Sequence, residues 1–138
     1  MTVTKRIPAN PIPANIAQEQ KLHAESKELK PGEEDLYRIW QAQASPYSYK
    51  VMAFMNYKGI AYKKVRASMQ ELDWVKTVAG QSIVPVMLSP DGPVMQDSTP
   101  IMIHLEEKFP AIKTIPNDAR LAFIMWLIEE FGDEYMTR

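Results

Sequence analysis

The sequence predicts an α/β (α+β) domain, a four-stranded mixed sheet covered by helices, with one further helix behind it. Three observations carry this. Short runs rich in aromatic and β-branched residues alternate with helical patterns through the first half. Two strand-like runs then flank the turn sequence "SPDG" (89–92). Finally, a capped apolar helix pattern follows Asp118.

The elements follow in order. "DLYRIWQ" (35–41) reads as a first strand. Ser45 suits a helix N-cap and Pro46 the first turn, where no amide partner is lost. Tyr47, Val51, Phe54 and Met55 share one helical face, and Gly59 stands where a left-handed cap belongs. "AYKKVRA" (61–67) is a second strand and "MQELDWVKTV" (69–78) a short helix. "IVPVML" (83–88) and "PVMQ" (93–96) form a hairpin around a type I turn. Asp97, Ser98 and Pro100 open a helix that Pro110 stops, and a last helix runs from Asp118 almost to Arg138. The order β-α-β-α-β-β-α plus one helix makes the first two strands parallel and the hairpin antiparallel, which is the thioredoxin-like plan.

Composition excludes several classes. The 138 residues carry a net charge of −1, too little for a general attraction to nucleic acid or anionic membrane. There is no cysteine, so disulfides, thiolate zinc sites and thiol redox chemistry on the protein are excluded. Two histidines, His23 and His104, are too few for a His-rich metal site, and we expect no metal. No apolar run is long enough to span a bilayer, and a cytoplasmic protein is expected. Residues 1–33 differ from the rest: they hold Pro8, Pro11, Pro13 and Pro31, and "IPANPIPAN" (7–15) repeats itself. They read as an extension, with the ordered domain at 34–112 and a separate helical segment at 117–138.

Three places carry chemistry. Pro85 has no amide to donate, so a ladder must break there, either through a cis Val84–Pro85 bond or at an edge strand. The first solution turns the Val84 backbone outward, ready to pair with a peptide-like ligand. Asp97 and Ser98 stand at a helix start, where they cap it or hold the ammonium and carboxylate of an amino-acid end. Ser45 is either a cap alone or also a hydroxyl that stabilises a ligand thiolate; Ser–His chemistry finds no base beside it.

"SPYS" after the first strand, "VPVML" with its hairpin and "DSTPIMIHL" opening the third helix together resemble the glutathione transferase N-terminal domain, over about 35–110. The resemblance implies that glutathione is the co-substrate and that its thiol is activated to attack an electrophilic small molecule. It implies a catalytic role for Ser45 at the sulfur. Val84, before Pro85, would pair with the cysteinyl backbone, and Asp97 and Ser98 would hold the γ-glutamyl end. Tyr47 and Pro85 are counted with the glutathione-binding residues. The alternative is a non-catalytic binding or interaction module on the same fold. The last helix resembles the first of the family's helical domain, so a truncated chain with little activity of its own is expected.

That helix also predicts association. Leu121, Met125, Ile128, Phe131 and Tyr135 form one apolar row, expected to face the domain. Phe123, Ile124, Trp126 and Leu127 load other faces, expected to pair with a second copy in a homodimer. Glu129, Glu130, Asp133 and Glu134 read as a solvated acidic face.

Overall fold

The computed structural model describes residues 31–92 and 94–135. The Pro-rich repeat and His23 lie outside the described residues. The elements are β1 (Tyr37–Gln41), α1 (Pro46–Lys58), β2 (Tyr62–Arg66), α2 (Met69–Ala79), β3 (Val86–Leu88), β4 (Val94–Gln96), α3 (Ser98–Lys108) and α4 (Ala119–Glu134). The sheet order is β2-β1-β3-β4. β1 and β2 run parallel, while β1–β3 and β3–β4 are antiparallel. This is the thioredoxin-like arrangement the alternation of elements predicts.

The strand period of two divides the core. Ile39 of β1 and Met87 of β3 pack with Val51, Met55, Ile101 and Leu105 from α1 and α3. Trp40, Val86 and Leu88 point the other way, against Val75 of α2. Each large side chain buried this way contributes about 1.5–3 kcal/mol. Trp40 also needs a polar partner, and its indole N–H donates to Glu71 at 2.7 Å.

Local signals hold at the ends. The Ser45 hydroxyl accepts from the Ser48 amide at 3.2 Å, and Gly59 closes α1 with φ 69°. Gly92 N–H donates to Ser89 O at 3.2 Å, closing the hairpin turn. Asp118 caps α4 through the Arg120 and Leu121 amides. β3 starts later than the sequence pattern suggests: Ile83 and Val84 lie outside it, and the Val84–Pro85 bond is cis.

The C-terminal end of α1 is held by a buried lysine. The Lys58 side chain has no exposure and pairs with Glu106 at 2.6 Å. It also donates to Phe109 O at 2.8 Å and Ile112 O at 2.7 Å. Glu106 in turn accepts from the Thr114 amide and hydroxyl and the Ile115 amide. Every charge in the group is thereby satisfied, which is the condition for burying one.

α4 docks on a different face from the one its apolar row predicts. No residue of α4 is fully buried. Leu121, Ile128, Phe131 and Tyr135 of the row are all exposed, at 57%, 66%, 54% and 73%. Ala122, Met125, Trp126, Glu129, Gly132 and Asp133 are the half-buried ones, so Trp126 faces the domain. Phe123, Ile124 and Leu127 do stay outside. Polar groups account for the rotation. Glu129 and Asp133 turn inward to the ammonium of Lys50 on α1, which burial without a partner would strongly disfavour.

Candidate functional site

Sheet register gathers the three places with chemistry. Trp40 of β1 lies opposite Val86 of β3, and Val86 opposite Gln96 of β4. Ser45 follows the end of β1, Val84–Pro85 precedes β3, and Asp97–Ser98 follows β4. Because these strand pairs are antiparallel, all three segments emerge at the same end of the sheet. The N-termini of α1 and α3 lie at that end, with their free amides and positive dipole ends.

Asp97 is the one described non-glycine residue with positive φ, at φ 81° and ψ 141°. Such backbone costs about 1–3 kcal/mol, and it persists where the surroundings impose it. Here its amide donates to Pro85 O at 3.1 Å, its carbonyl accepts from Ile101 N–H at 3.3 Å, and its carboxylate accepts from Ser98 N–H at 2.6 Å. The carboxylate itself stays exposed.

Ser98 is fully buried, and its Oγ has no protein hydrogen-bond partner. An unpaired buried hydroxyl costs about 1–3 kcal/mol, so native structures seldom leave one without a purpose. Ser45 is half-buried. Its oxygen accepts from Ser48 N–H, which leaves the hydroxyl hydrogen to donate outward. Donor and acceptor roles on one oxygen reinforce each other. Capping and thiolate stabilisation are therefore compatible at this residue.

Val84 is half-buried beside the buried Pro85. Its loop is tied down by Gln96, whose side-chain amide donates to Ile83 O at 2.9 Å and Gln81 O at 3.1 Å. Sequence reasoning missed Gln96, although its place at the end of β4 beside the broken ladder is a usable signal. Tyr47 turns toward α4, and its hydroxyl donates to Asp133 O at 2.8 Å.

Lys50 was also missed. Its ammonium pairs with Glu129 at 2.6 Å and Asp133 at 2.5 Å, with Thr99 Oγ1 at 3.4 Å. Burial lowers the Lys50 pKa, but the hydrogen bonds its ammonium donates to Asp133 and Glu129 outweigh it and hold the pKa above the ordinary lysine value. The expectation of a solvated acidic face is corrected accordingly. Glu130 and Glu134 are exposed, while Glu129 and Asp133 are half-buried ligands of a lysine. The sequence offers two i,i+4 acidic pairs, Glu129/Asp133 and Glu130/Glu134, and nothing in their spacing tells which turns inward.

His104 lies on α3 with its charged neighbours Lys108, Asp91 and Glu107, away from Ser45, and burial depresses its pKa. Among the described residues no three His, Asp or Glu side chains group as a metal site, and no helix is long and apolar enough to cross a membrane.

This fold, with a broken strand and two helix N-termini at one sheet end, is a thioredoxin-like domain. Residues 40–113 match the family described as the glutathione S-transferase N-terminal domain, and the chain belongs to that family. Among curated proteins it is 24% identical over 89 residues to glutathione S-transferase omega-1 of Sus scrofa, covering 64% of this chain and 37% of that one. Among solved structures, a glutathione S-transferase of Methylobacterium radiotolerans in complex with glutathione sulfonate is 29% identical, with a TM-score of 0.61 over 70% of this chain and 46% of that one. A glutathione transferase homologue from Sulfitobacter with bound glutathione has a TM-score of 0.66 at 14% identity, covering 75% and 51%; it shares the fold. The chain thus spans between about a third and a half of these relatives' lengths.

Proposed function

We propose that this chain binds glutathione and activates its thiol for attack on an electrophilic small molecule. The observation that carries the reading is the register line Trp40–Val86–Gln96, which brings Ser45, Val84 and Asp97–Ser98 to one end of the sheet. A strained Asp97 and an unpartnered, buried Ser98 hydroxyl at that end support it. The Val84 backbone pairs with the cysteinyl unit, and Pro85 and Tyr47 frame it. Asp97 takes the γ-glutamyl ammonium; Ser98 and the α3 amides take the carboxylate. Ser45 and the α1 N-terminus stabilise the thiolate. The thiolate sulfur then forms a bond to the electrophilic carbon, and the electron pair leaves on the displaced group or on the adjoining atom. Reliance on reduced glutathione fits a reducing cytoplasm. The exposed face of α4 supports association with a second copy.

Calorimetric titration with glutathione tests the reading. Asp97→Asn keeps the cap and the tolerance of positive φ but removes the charge, so affinity should fall by about 1.5–3 kcal/mol. Ser45→Ala should raise the pKa of the bound thiol, read by thiolate absorbance, by about 1 unit or more, or ~1.4 kcal/mol. A thiol pKa unchanged by Ser45→Ala, alongside a lower melting temperature, would leave Ser45 as a cap only. No heat from the wild type at millimolar glutathione would remove the proposal. Light scattering across concentration, with Leu127→Glu for comparison, tests the association.

A further inference from the structure

The last turns of α4 touch both helices that open at the candidate site. Asp133 accepts the Tyr47 hydroxyl through its carbonyl, at 2.8 Å, and pairs with Lys50 through its carboxylate, at 2.5 Å. Tyr47 and Lys50 stand in the first turns of α1, immediately after Ser45. Glu129 pairs with Lys50 at 2.6 Å and accepts from the Thr99 hydroxyl at 2.6 Å. Thr99 is the residue after Ser98, in the first turn of α3, and its oxygen also lies 3.2 Å from Asp133. One ammonium, two carboxylates and one hydroxyl therefore join three helices at one point. All four side chains are shielded in part from water, where such contacts hold geometry better than surface pairs do.

We infer that Lys50, through Glu129, Asp133 and Thr99, is a positioning residue that lets α4 clip the first turns of α1 and α3 into the alignment a ligand spanning Ser45 and Ser98 requires. α4 is then part of the site without any of its side chains touching the ligand. Elsewhere α1 and α3 are joined by the packed core at their middles and by the Lys58–Glu106 pair at their C-terminal ends. The clip acts at the ends, where helices fray first. Helix ends misplaced by about 1 Å are enough to weaken a ligand that must reach both. A role in ligand alignment rests on the proposed glutathione site; the mechanical coupling of the two turns does not.

The test uses the 138-residue chain as Lys50→Met, Lys50→Arg and, as a control, Lys63→Met. Lys63 pairs with Glu33 at 2.5 Å on β2, far along the sheet from these turns. Amide hydrogen exchange and glutathione titration are measured for each. In Lys50→Met, exchange at the amides of 48–51 and of 98, 99, 101 and 102 should quicken about tenfold or more, with Val86–Leu88 unchanged. Glutathione affinity should fall by about tenfold in the same variant, while Lys50→Arg restores both and Lys63→Met changes neither. Exchange in Lys50→Met equal to wild type at either turn overturns the inference, whatever glutathione does. Quickened exchange at both turns with unchanged glutathione affinity overturns the alignment role. A wild type that does not bind glutathione removes the proposed function instead, and the exchange comparison still decides whether the clip exists.

Discussion

Helix α1 carries a paired lysine at each end, and the two do different work. Lys58, at the C-terminal end, is fully buried against Glu106, and its other hydrogens go to the carbonyls of Phe109 and Ile112. These partners belong to α3 and the loop behind it. Lys50, at the N-terminal end, is 22% exposed and shares two carboxylates of similar exposure on a helix that buries nothing completely. The first arrangement closes the domain on itself. The second ties the domain to an added helix, beside the residues that would meet a ligand. Depth makes the difference: the more buried pair loses more if broken, because the partner left behind cannot be hydrated.

Lys58→Met should break this comparison most sharply. It leaves Glu106 and two carbonyls without their donor, and urea unfolding should show a loss of about 3–5 kcal/mol. A loss below ~1 kcal/mol would mean that water reaches Glu106 freely.

Acid should separate the two ends next. Burial alone would raise the Glu106 pKa, but hydrogen bonds from Lys58 and Thr114 and the amides of 114–115 bring it down to about 2. A depressed carboxylate pKa contributes stability that is complete above the unfolded value and disappears as pH falls toward the folded one. Stability should therefore drop from near pH 4.5 toward about 2. In Glu106→Gln that component of the slope should vanish. A Glu106→Gln curve parallel to wild type across the window would assign the acid sensitivity to other carboxylates.

Lys50→Met should cost less than Lys58→Met, about 1–2 kcal/mol, because solvent reaches the carboxylates it leaves. Its mark is local exchange at the first turns of α1 and α3. Equal losses for Lys50→Met and Lys58→Met would erase the distinction. Lys63→Met removes a pair about one-third exposed at its lysine and should cost under ~1 kcal/mol, setting the floor of the series.

The fold was legible because its signals are local. The Ser45 and Asp118 caps, the Gly59 stop and the "SPDG" turn depend on neighbours close in the chain, and each appears as expected. The place of Pro85 foretold a break in the strand, because proline has no amide to donate. The three candidate segments were legible as places with chemistry for the same reason. Their meeting at one sheet end was legible only through strand order, which the antiparallel hairpin supplies.

What the sequence by itself determined, then, is the elements, their order and the family motifs of residues 40–113. Caps, turns and strand periods are enforced by backbone sterics and hydrogen bonds within a few residues. The tertiary structure alone decided which way α4 faces and which charges meet. Counting apolar residues put Leu121, Ile128 and Phe131 inside, yet they lie outside and Trp126 turns in. Rotation of a docked helix depends on partners distant in the chain, here Lys50 on α1 and Thr99 on α3, and the pairing of a half-buried ammonium with two carboxylates outweighed the burial of an apolar row.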